Sequence, residues 1–191
     1  MIQKVRRVVT GHDAQGRSMI LSDGPAASVK EMAPTFPGLA LTDFWETTNS
    51  PASNAGSADA ANRPVHLEPG RNGTIFRMVE FPPDTSRPRD ADSSEGFKAI
   101  GAGHAQDAGH SDPMMHRTAT VDYAIVVRGE IYAVMEKGET LLRAGDVLVQ
   151  RGTNHSWSVR GKEPALVAFI LVGATPLEKK KRISRKSKKK K

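Results

Sequence analysis

Cysteine is absent from this sequence, and long apolar runs are missing as well. Without cysteine the chain forms no disulfide bond and offers no thiolate for chemistry, a composition compatible with a reducing compartment. The longest apolar run, residues 165–174, is about half of the ~20 residues that a transmembrane helix needs. Lys4, Arg6 and Arg7 interrupt the first apolar residues, so no secretory signal is recognisable. These absences predict a cytoplasmic protein that does not contact a membrane.

Several catalytic signatures are also missing. The sequence has no G-x-S-x-G nucleophile elbow, no P-loop and no dinucleotide-binding glycine motif. The glycines at positions 101, 103 and 109 lie in a polar stretch that does not lead from a strand into a helix. Serine-hydrolase, nucleotide-hydrolysing and dinucleotide-dependent functions therefore have no support in the sequence.

Positive charge is concentrated at the carboxyl terminus. The whole chain carries +7, and residues 177–191 carry ten lysines and arginines against one glutamate, a net of +9, which leaves −2 for residues 1–176. We expect residues 1–176 to form one domain and residues 177–191 to be a disordered, solvated tail. The tail resembles a nuclear-localisation or polyanion-binding segment, which would contact nucleic acid without sequence preference. A tail without function is the alternative.

The most informative stretch is residues 113–157, where short β-branched and aromatic segments alternate with tight turns. Segments 122–128 and 131–135 are separated by Gly129, and segments 140–142 and 147–150 are separated by Ala144-Gly145-Asp146. Turns of this composition join antiparallel strands. The pattern predicts an all-β fold, a sandwich or small barrel of short antiparallel strands.

The rest of the chain adds strands around this centre. Further strands are predicted at residues 5–10 and 17–22, which form a hairpin, and at 39–47, 73–81 and 164–173. Residues 48–63 lack periodicity and are predicted to form a long surface loop. Residues 82–113 are rich in Pro, Asp, Ser and Gly and are predicted to cross the mouth of the barrel as a loop.

The segment from His116 to Gly129 resembles the first motif of the cupin superfamily, G-x5-H-x-H-x3/4-E-x6-G. His116 stands at the first histidine, Thr118 at the second, Asp122 at the acid and Gly129 at the closing glycine. Two of these four positions differ from the motif. The resemblance implies a cupin-type antiparallel β-barrel, a double-stranded β-helix or jelly roll, with its core at about residues 73–174 and its N-terminal strands within residues 1–47.

The second cupin motif, G-x5-P-x-G-x2-H-x3-N, resembles the segment that begins at Gly145. Gln150 replaces its proline, and Gly152 and His155 match, with one residue fewer after the first glycine. Together with RRVVTGHDAQGRSMILSDGP, TDFWET, HRTATVDY and QRGTNHSW, the chain resembles small single-domain cupins of fungi and bacteria, some of which are described as cupin-domain oxidoreductases of fungal polyketide clusters. Barrels of this kind often pair, so we expect a homodimer.

The resemblance implies that His116, Asp122 and His155 point into the barrel near one mouth. Two imidazoles and one carboxylate suit a divalent metal, iron, manganese, zinc or nickel, with positions left for water or substrate. Thr118 replaces a third histidine with a hydroxyl, which is a poor ligand for these metals. Trp157 lies two residues after His155, on the same face of a strand, where it either walls a pocket for a flat substrate or packs in the core.

The same residues also have structural interpretations. His155 follows a tight Gly-Thr-Asn turn and could cap backbone groups, and Asp122 could be a strand-edge residue paired with Arg128 or Arg117. His104 and His110 are interpreted as solvated loop histidines, and His110 would be the substitute if a third imidazole binds metal. Tyr123 and Tyr132 are interpreted as wall residues, and Met114 and Met115 as core fillers.

Two functions are consistent with the sequence. The first is a metal-dependent enzyme acting on a small oxygenated molecule, aromatic or polyketide-derived, by oxidation or by dehydration or isomerisation. His116, Asp122 and His155 would hold the metal, and Trp157 would shape the pocket. The second is a small-molecule-binding or regulatory barrel without metal, in which the same histidines only form hydrogen bonds.

Overall fold

The computed structural model describes residues 2–177, which form two antiparallel sheets and a separate hairpin. One α-helix interrupts the strands. The elements are β1 (Arg6–His12), β2 (Ser18–Pro25), β3 (Val29–Glu31), β4 (Ala40–Thr47), β5 (Thr74–Phe81), α1 (Ser93–Ala99), β6 (Thr120–Arg128), β7 (Glu130–Met135), β8 (Glu139–Arg143), β9 (Val147–Arg151), β10 (His155–Ser158) and β11 (Ala165–Gly173).

The strand order confirms the predicted all-β barrel. The larger sheet has the order β3-β4-β5-β11-β6-β9, and the smaller sheet has the order β10-β7-β8. Neighbouring strands in both sheets are antiparallel. Because β6 and β9 belong to one sheet while β7, β8 and β10 belong to the other, the chain between residues 120 and 158 crosses between the sheets at every turn except the one that joins β7 to β8.

The hydrophobic core lies between the two sheets. Ile75 and Phe169 of the larger sheet and Ile131 and Trp157 of the smaller sheet belong to one cluster of buried residues. Burial of large apolar side chains is the main force that holds two such sheets together, at about 25 cal/mol per Å². Along β6 and β7, successive residues point to opposite faces of the strand. One set of side chains therefore packs in this core, and the other set faces outward.

Gly129 makes the turn from β6 to β7, where the chain leaves one sheet for the other. Its φ of 76° lies in the left-handed region that favours glycine. A Cβ at this position would lie 2.8 Å from the carbonyl oxygen of Pro164. Both the backbone conformation and the close approach therefore require glycine here.

A buried ionic cluster joins β4 to β5. Asp43 and Arg77 face each other in the register of these strands and are 0% and 2% exposed. Nη2 of Arg77 donates to Oδ2 of Asp43 at 3.1 Å, and Nη1 of Arg63 donates to the same oxygen at 2.9 Å. Nε of Arg77 also lies 2.9 Å from Oδ1 of Asp43, at an angle outside hydrogen-bond geometry. Arg77 also donates to the backbone carbonyl of Leu67, so it ties a loop to the barrel wall.

The N-terminal hairpin β1–β2 was predicted correctly, and it projects from the barrel. Its residues alternate between exposed and half-buried on β1 and are mostly exposed on β2. Arg7 attaches it to the barrel through the carbonyl of Phe44, at 3.0 Å, and through an ion pair with Asp59. The hairpin is therefore held mainly by polar contacts.

Three features depart from the sequence predictions or lie beyond them. Helix α1 and strand β3 were not predicted, and α1 lies inside the segment that we expected to be a loop. The tail, residues 177–191, lies almost entirely outside the described residues, and both its predicted disorder and the domain boundary stay predictions. The homodimer also stays a prediction, because the structure contains one chain. Within residues 2–177 no helix is long and apolar enough to cross a membrane.

Candidate functional site

His116 and His155 lie side by side at one end of the barrel. The backbone N–H of each donates to the carbonyl of the other, at 2.8 and 2.9 Å, which forms an isolated antiparallel bridge. Residues opposite each other in such a bridge point their side chains to the same face. The ring centroids are accordingly 4.3 Å apart. The structure thus brings together two of the predicted site residues although 39 positions separate them in the sequence numbering.

A backbone carbonyl orients each imidazole. Nδ1 of His116 lies 2.8 Å from the carbonyl oxygen of Met114, and Nδ1 of His155 lies 3.0 Å from that of Thr153. Because a carbonyl oxygen can only accept, Nδ1 carries the hydrogen in both rings and Nε2 carries the lone pair. The side-chain amide nitrogen of Gln150 lies 2.9 Å from Nδ1 of His155, but both atoms are donors in this tautomer, so they form no hydrogen bond with each other. The amide donates instead to the carbonyl of Thr153 at 2.9 Å and so fixes the acceptor that orients the ring.

Burial keeps both rings neutral. Desolvation lowers the pKa of His116, although part of its surface faces a pocket. Desolvation, followed by the neighbouring imidazole, lowers the pKa of His155 to about 3. At neutral pH the pair therefore offers two lone pairs and no positive charge, which suits binding of a metal or of a hydroxyl group.

The pocket that opens beside His116 is apolar and aromatic. Its cavity volume is about 70 Å³, and it is open to solvent on one side. The lining residues are Phe36, Pro37, Leu39, Phe81, Pro82, Pro83, Asp84, Arg87, Met114, His116, Trp157 and Val159. Trp157 contacts Phe81 and Phe169, with centroid distances of 6.0 and 5.4 Å, and lies 5.9 Å from His155. Trp157 therefore lines the pocket and also packs in the core, so its two interpretations from the sequence are compatible.

Asp122 lies apart from the histidine pair. It sits on β6 opposite Gln150 of β9, and it is 4% exposed. Its interpretation as a strand-edge residue paired with Arg128 or Arg117 is wrong, because β6 lies between β11 and β9 and its side chain points into the barrel. Oδ1 of Asp122 has no hydrogen-bond partner among residues 2–177. Burial raises the pKa of this carboxyl to about 6, against the opposing effects of Thr120 and Arg77.

The side-chain nitrogen atoms of His116 and His155 fit part of the predicted metal site. The two Nε2 lone pairs are the nitrogen donors that iron, manganese, zinc and nickel accept. In the part of the chain that the structure describes, no three His, Asp or Glu side chains come close enough together to hold one ion. The donors therefore fit a divalent metal through two histidines, and they do not fit the three-residue set that includes Asp122. The metal-ligand roles of all three stay predictions.

The remaining candidates lie elsewhere. The Thr118 hydroxyl is 2.6 Å from that of Thr120 and is buried with it. His104 pairs with Glu68 at 2.6 Å on an exposed loop, and Nδ1 of His110 accepts from the backbone of Asp112. Tyr123 is exposed on the outer face of the larger sheet, so it does not line the pocket.

Sequence reasoning missed several residues of the site. Phe36 and Arg87 line the pocket, and Phe97 of α1 packs 5.2 Å from His116, yet no motif marked them. Gln150 had been noted only as a departure from a motif, and it contacts His155. One sequence feature did point to the pocket. The segment after Phe81 was expected to cross the barrel mouth, and it supplies Pro82, Pro83 and Arg87.

We expect that Asp122→Asn will stabilise the protein at alkaline pH. The folded-state pKa of Asp122 lies above its ordinary value of 3.8, so its contribution to stability is complete below pH 3.8 and is lost as the pH rises through about 6. The gain in the free energy of unfolding at pH 8 should be roughly 2–3 kcal/mol, with little change at pH 4. Urea denaturation at both pH values measures it, with Asp90→Asn, an exposed site, as the control. Equal stability of Asp122→Asn and the wild type at pH 8 would refute the expectation.

Comparison with known proteins gives curated relatives over most of the chain. A scan against protein-family models finds no match. The chain is 30% identical over 174 residues to phomopsin biosynthesis cluster protein C' of Diaporthe leptostromiformis, which covers 90% of this chain and 80% of the relative. It is 26% identical to a cupin-domain-containing oxidoreductase of Aspergillus ruber, over 90% of this chain and 73% of the relative. Among solved structures, the cupin domain of Schizosaccharomyces pombe Cnp3 matches with a TM-score of 0.45 and 11% identity, over 90% of this chain and 89% of that one.

Proposed function

This chain belongs to the cupin family, and on that basis we propose that it is an enzyme of the oxidoreductase type that acts on a small oxygenated molecule beside His116 and His155. One observation carries the proposal: two neutral imidazoles, His155 buried and His116 half-buried, lie next to an apolar aromatic pocket, each with its Nδ1 beside a carbonyl. The names of the relatives, which refer to oxidoreductases and to biosynthetic clusters, support this class of reaction and a substrate from secondary metabolism.

The low pKa of His155 indicates what the pair does. An imidazole whose pKa is about 3 is a weak base at neutral pH, so it is poorly suited to take up and store a proton. It keeps its lone pair at every physiological pH, however, and so remains available to a cation or to a substrate hydroxyl. We infer that the pair holds and orients groups, and that Phe81 and Trp157 position a flat substrate and exclude water.

In the finer form of this proposal the enzyme is metal-dependent. Nε2 of His116 and Nε2 of His155 would hold one divalent metal, and the Nδ1 contacts to carbonyl oxygens would fix the two rings, as in many metal sites. Bound there, iron, manganese, nickel or zinc would supply Lewis-acid chemistry, and the first three would add redox chemistry. The remaining positions would be left to water and to oxygen atoms of the substrate.

The metal content of matched variants tests this form. After reconstitution with Fe(II), Mn(II), Ni(II) or Zn(II) and removal of excess metal, we expect close to one ion per chain in the wild type. His155→Ala should lose nearly all of it, because one of only two protein ligands is gone, whereas His12→Ala on the exposed hairpin should bind as the wild type does. Elemental analysis measures this. Equal metal in His155→Ala and the wild type would contradict the assignment.

Turnover tests the enzyme proposal itself. Small oxygenated aromatic and polyketide-like compounds are incubated with the reconstituted protein in air, and products are identified by the change in mass. We expect His116→Ala to lower the rate by about 100-fold, the loss that follows when the reacting groups are no longer correctly positioned, with His12→Ala unchanged. Equal rates in His116→Ala and the wild type would exclude a role for the pair in the reaction.

The alternative is a barrel that binds a small molecule without metal or catalysis. The hydrogen-bonded Nδ1 atoms and the apolar pocket are consistent with it, since both favour ligand binding by themselves. In that case a ligand raises the melting temperature equally with and without a chelator. A stabilisation that the chelator abolishes would instead favour the metal-dependent form.

A further inference from the structure

We propose that the pocket beside His116 binds a small aromatic carboxylic acid and that Arg87 holds its carboxylate. The inference deepens the proposed function and rests on it, because it names the substrate class of the same pocket. The wall of this pocket is made almost entirely of apolar side chains and contains two fully charged ones, Asp84 and Arg87.

Asp84 is already engaged within the protein. Oδ2 accepts from the hydroxyl of Ser158 at 2.6 Å, and Oδ1 accepts from the backbone N–H of Val159 at 3.1 Å. A carboxylate whose two oxygens both accept from strand β10 and the residue after it acts as a structural link. It is therefore a poor candidate for binding a ligand.

Arg87 is differently placed. Its backbone N–H donates to the carbonyl of Asp84 at 3.2 Å, which fixes the chain at the end of a 3₁₀ turn. Its guanidinium lies over the ring of Phe36, with 5.9 Å from Cζ to the ring centroid. Within residues 2–177 the guanidinium forms no hydrogen bond and no ion pair. The pocket wall thus presents a planar cation at the outer limit of cation–π distance from an aromatic ring, with no protein partner for its donors among the described residues.

A guanidinium in this state is suited to a carboxylate. Its fork of N–H donors matches the two oxygens of a carboxylate. The aromatic rings of Phe81 and Trp157 line the same pocket and suit a flat apolar group. The ring of an acid held in this way packs among these side chains. His116, one member of the histidine pair, lines the same pocket.

The closing experiment compares a carboxylate with its neutral counterpart. Benzoate and benzamide have nearly the same shape and differ in charge, so calorimetric titration of each at pH 7 isolates the contribution of the cation. We expect the wild type to bind benzoate at least 10-fold more tightly than benzamide. Arg87→Gln should lower the benzoate affinity to that of benzamide and leave benzamide unchanged. Arg89→Gln, two positions away, exposed and outside the pocket wall, should behave as the wild type.

Further variants keep the proposal falsifiable. Arg87→Lys keeps the charge without the planar fork and should retain only part of the preference, which serves as the test if Arg87→Gln does not fold. Equal binding of the two probes by the wild type, a full preference in Arg87→Gln, or its loss in Arg89→Gln would overturn the proposal. His116→Ala should lose turnover and keep the benzoate preference, so failure of the proposed function and failure of this inference are distinguishable.

Discussion

Asp43→Ala is expected to cost about 3–5 kcal/mol of the free energy of unfolding, because it leaves the buried guanidinium of Arg77 without its carboxylate. Arg77 is 2% exposed, so water cannot replace the lost partner. A domain of ordinary stability has about 5–15 kcal/mol in total, so this single change would remove a large part of it. Arg63, which also donates to Asp43, would lose the same partner.

Urea denaturation of matched variants measures this effect. Asp23→Ala removes a carboxylate that pairs with Arg6 on the exposed hairpin, and no measurable loss is expected there. The double variant Asp43→Ala/Arg77→Met should recover part of the stability, because both buried charges are then removed together. Recovery should be incomplete, since Arg77 also donates to the carbonyl of Leu67. A loss in Asp43→Ala no larger than in Asp23→Ala would show that the cluster does not stabilise the barrel.

The second large effect is a loss of stability in acid that depends on His155. Its folded-state pKa, about 3, lies below its ordinary value of 6.5, so the unfolded chain takes up a proton more readily than the folded one. The contribution of this ring to stability is complete above pH 6.5 and is lost as the pH falls toward 3. Over that range the loss should reach about 4–5 kcal/mol. His116, whose pKa is also lowered, acts in the same direction.

The comparison of the wild type with His155→Asn isolates the contribution of His155 to the loss of stability in acid. The asparagine amide can donate to the carbonyl of Thr153 as Nδ1 does, and it does not titrate. We expect the wild type to lose stability between pH 6.5 and 4 more steeply than His155→Asn, in urea denaturation with a chelator present. Asp122 changes the stability in the opposite direction over this pH range. It does so in both proteins, so its effect cancels in the comparison. His12→Asn serves as the control, and equal slopes in His155→Asn and the wild type would contradict the assignment.

The sequence was sufficient for most of the strands because strand patterns are local. β-branched segments bounded by glycine turns gave β5 to β9 and β11 to within a few residues, and Gly129 indeed adopts the conformation that its turn requires. β3 has only three residues, too few for a recognisable alternation. α1 has seven residues in a polar segment, and an N-cap contact from Asp92 to the backbone of Ser94 supports it.

The site could be predicted only in part, because its geometry depends on contacts between distant residues. The histidine pair followed from motif likeness, but the separation of Asp122 from it depends on strand register and on Gln150. The Arg77–Asp43 pair depends on the register of β4 and β5, which a sequence pattern does not specify. Arg87 faces the pocket because the chain turns there, and its residue type alone carries no such information.

The exposed hairpin β1–β2 also affects how the molecule opens. Its partner strands are adjacent in the sequence, and its link to the barrel is mostly polar, through Arg7 with Phe44 and Asp59. A two-stranded unit with this little apolar burial is marginally stable by itself. We therefore expect two cooperative units of different stability: the core strands of the barrel, whose amide hydrogens should exchange on global unfolding, and the hairpin, whose amide hydrogens should exchange through a local opening that leaves the pocket intact.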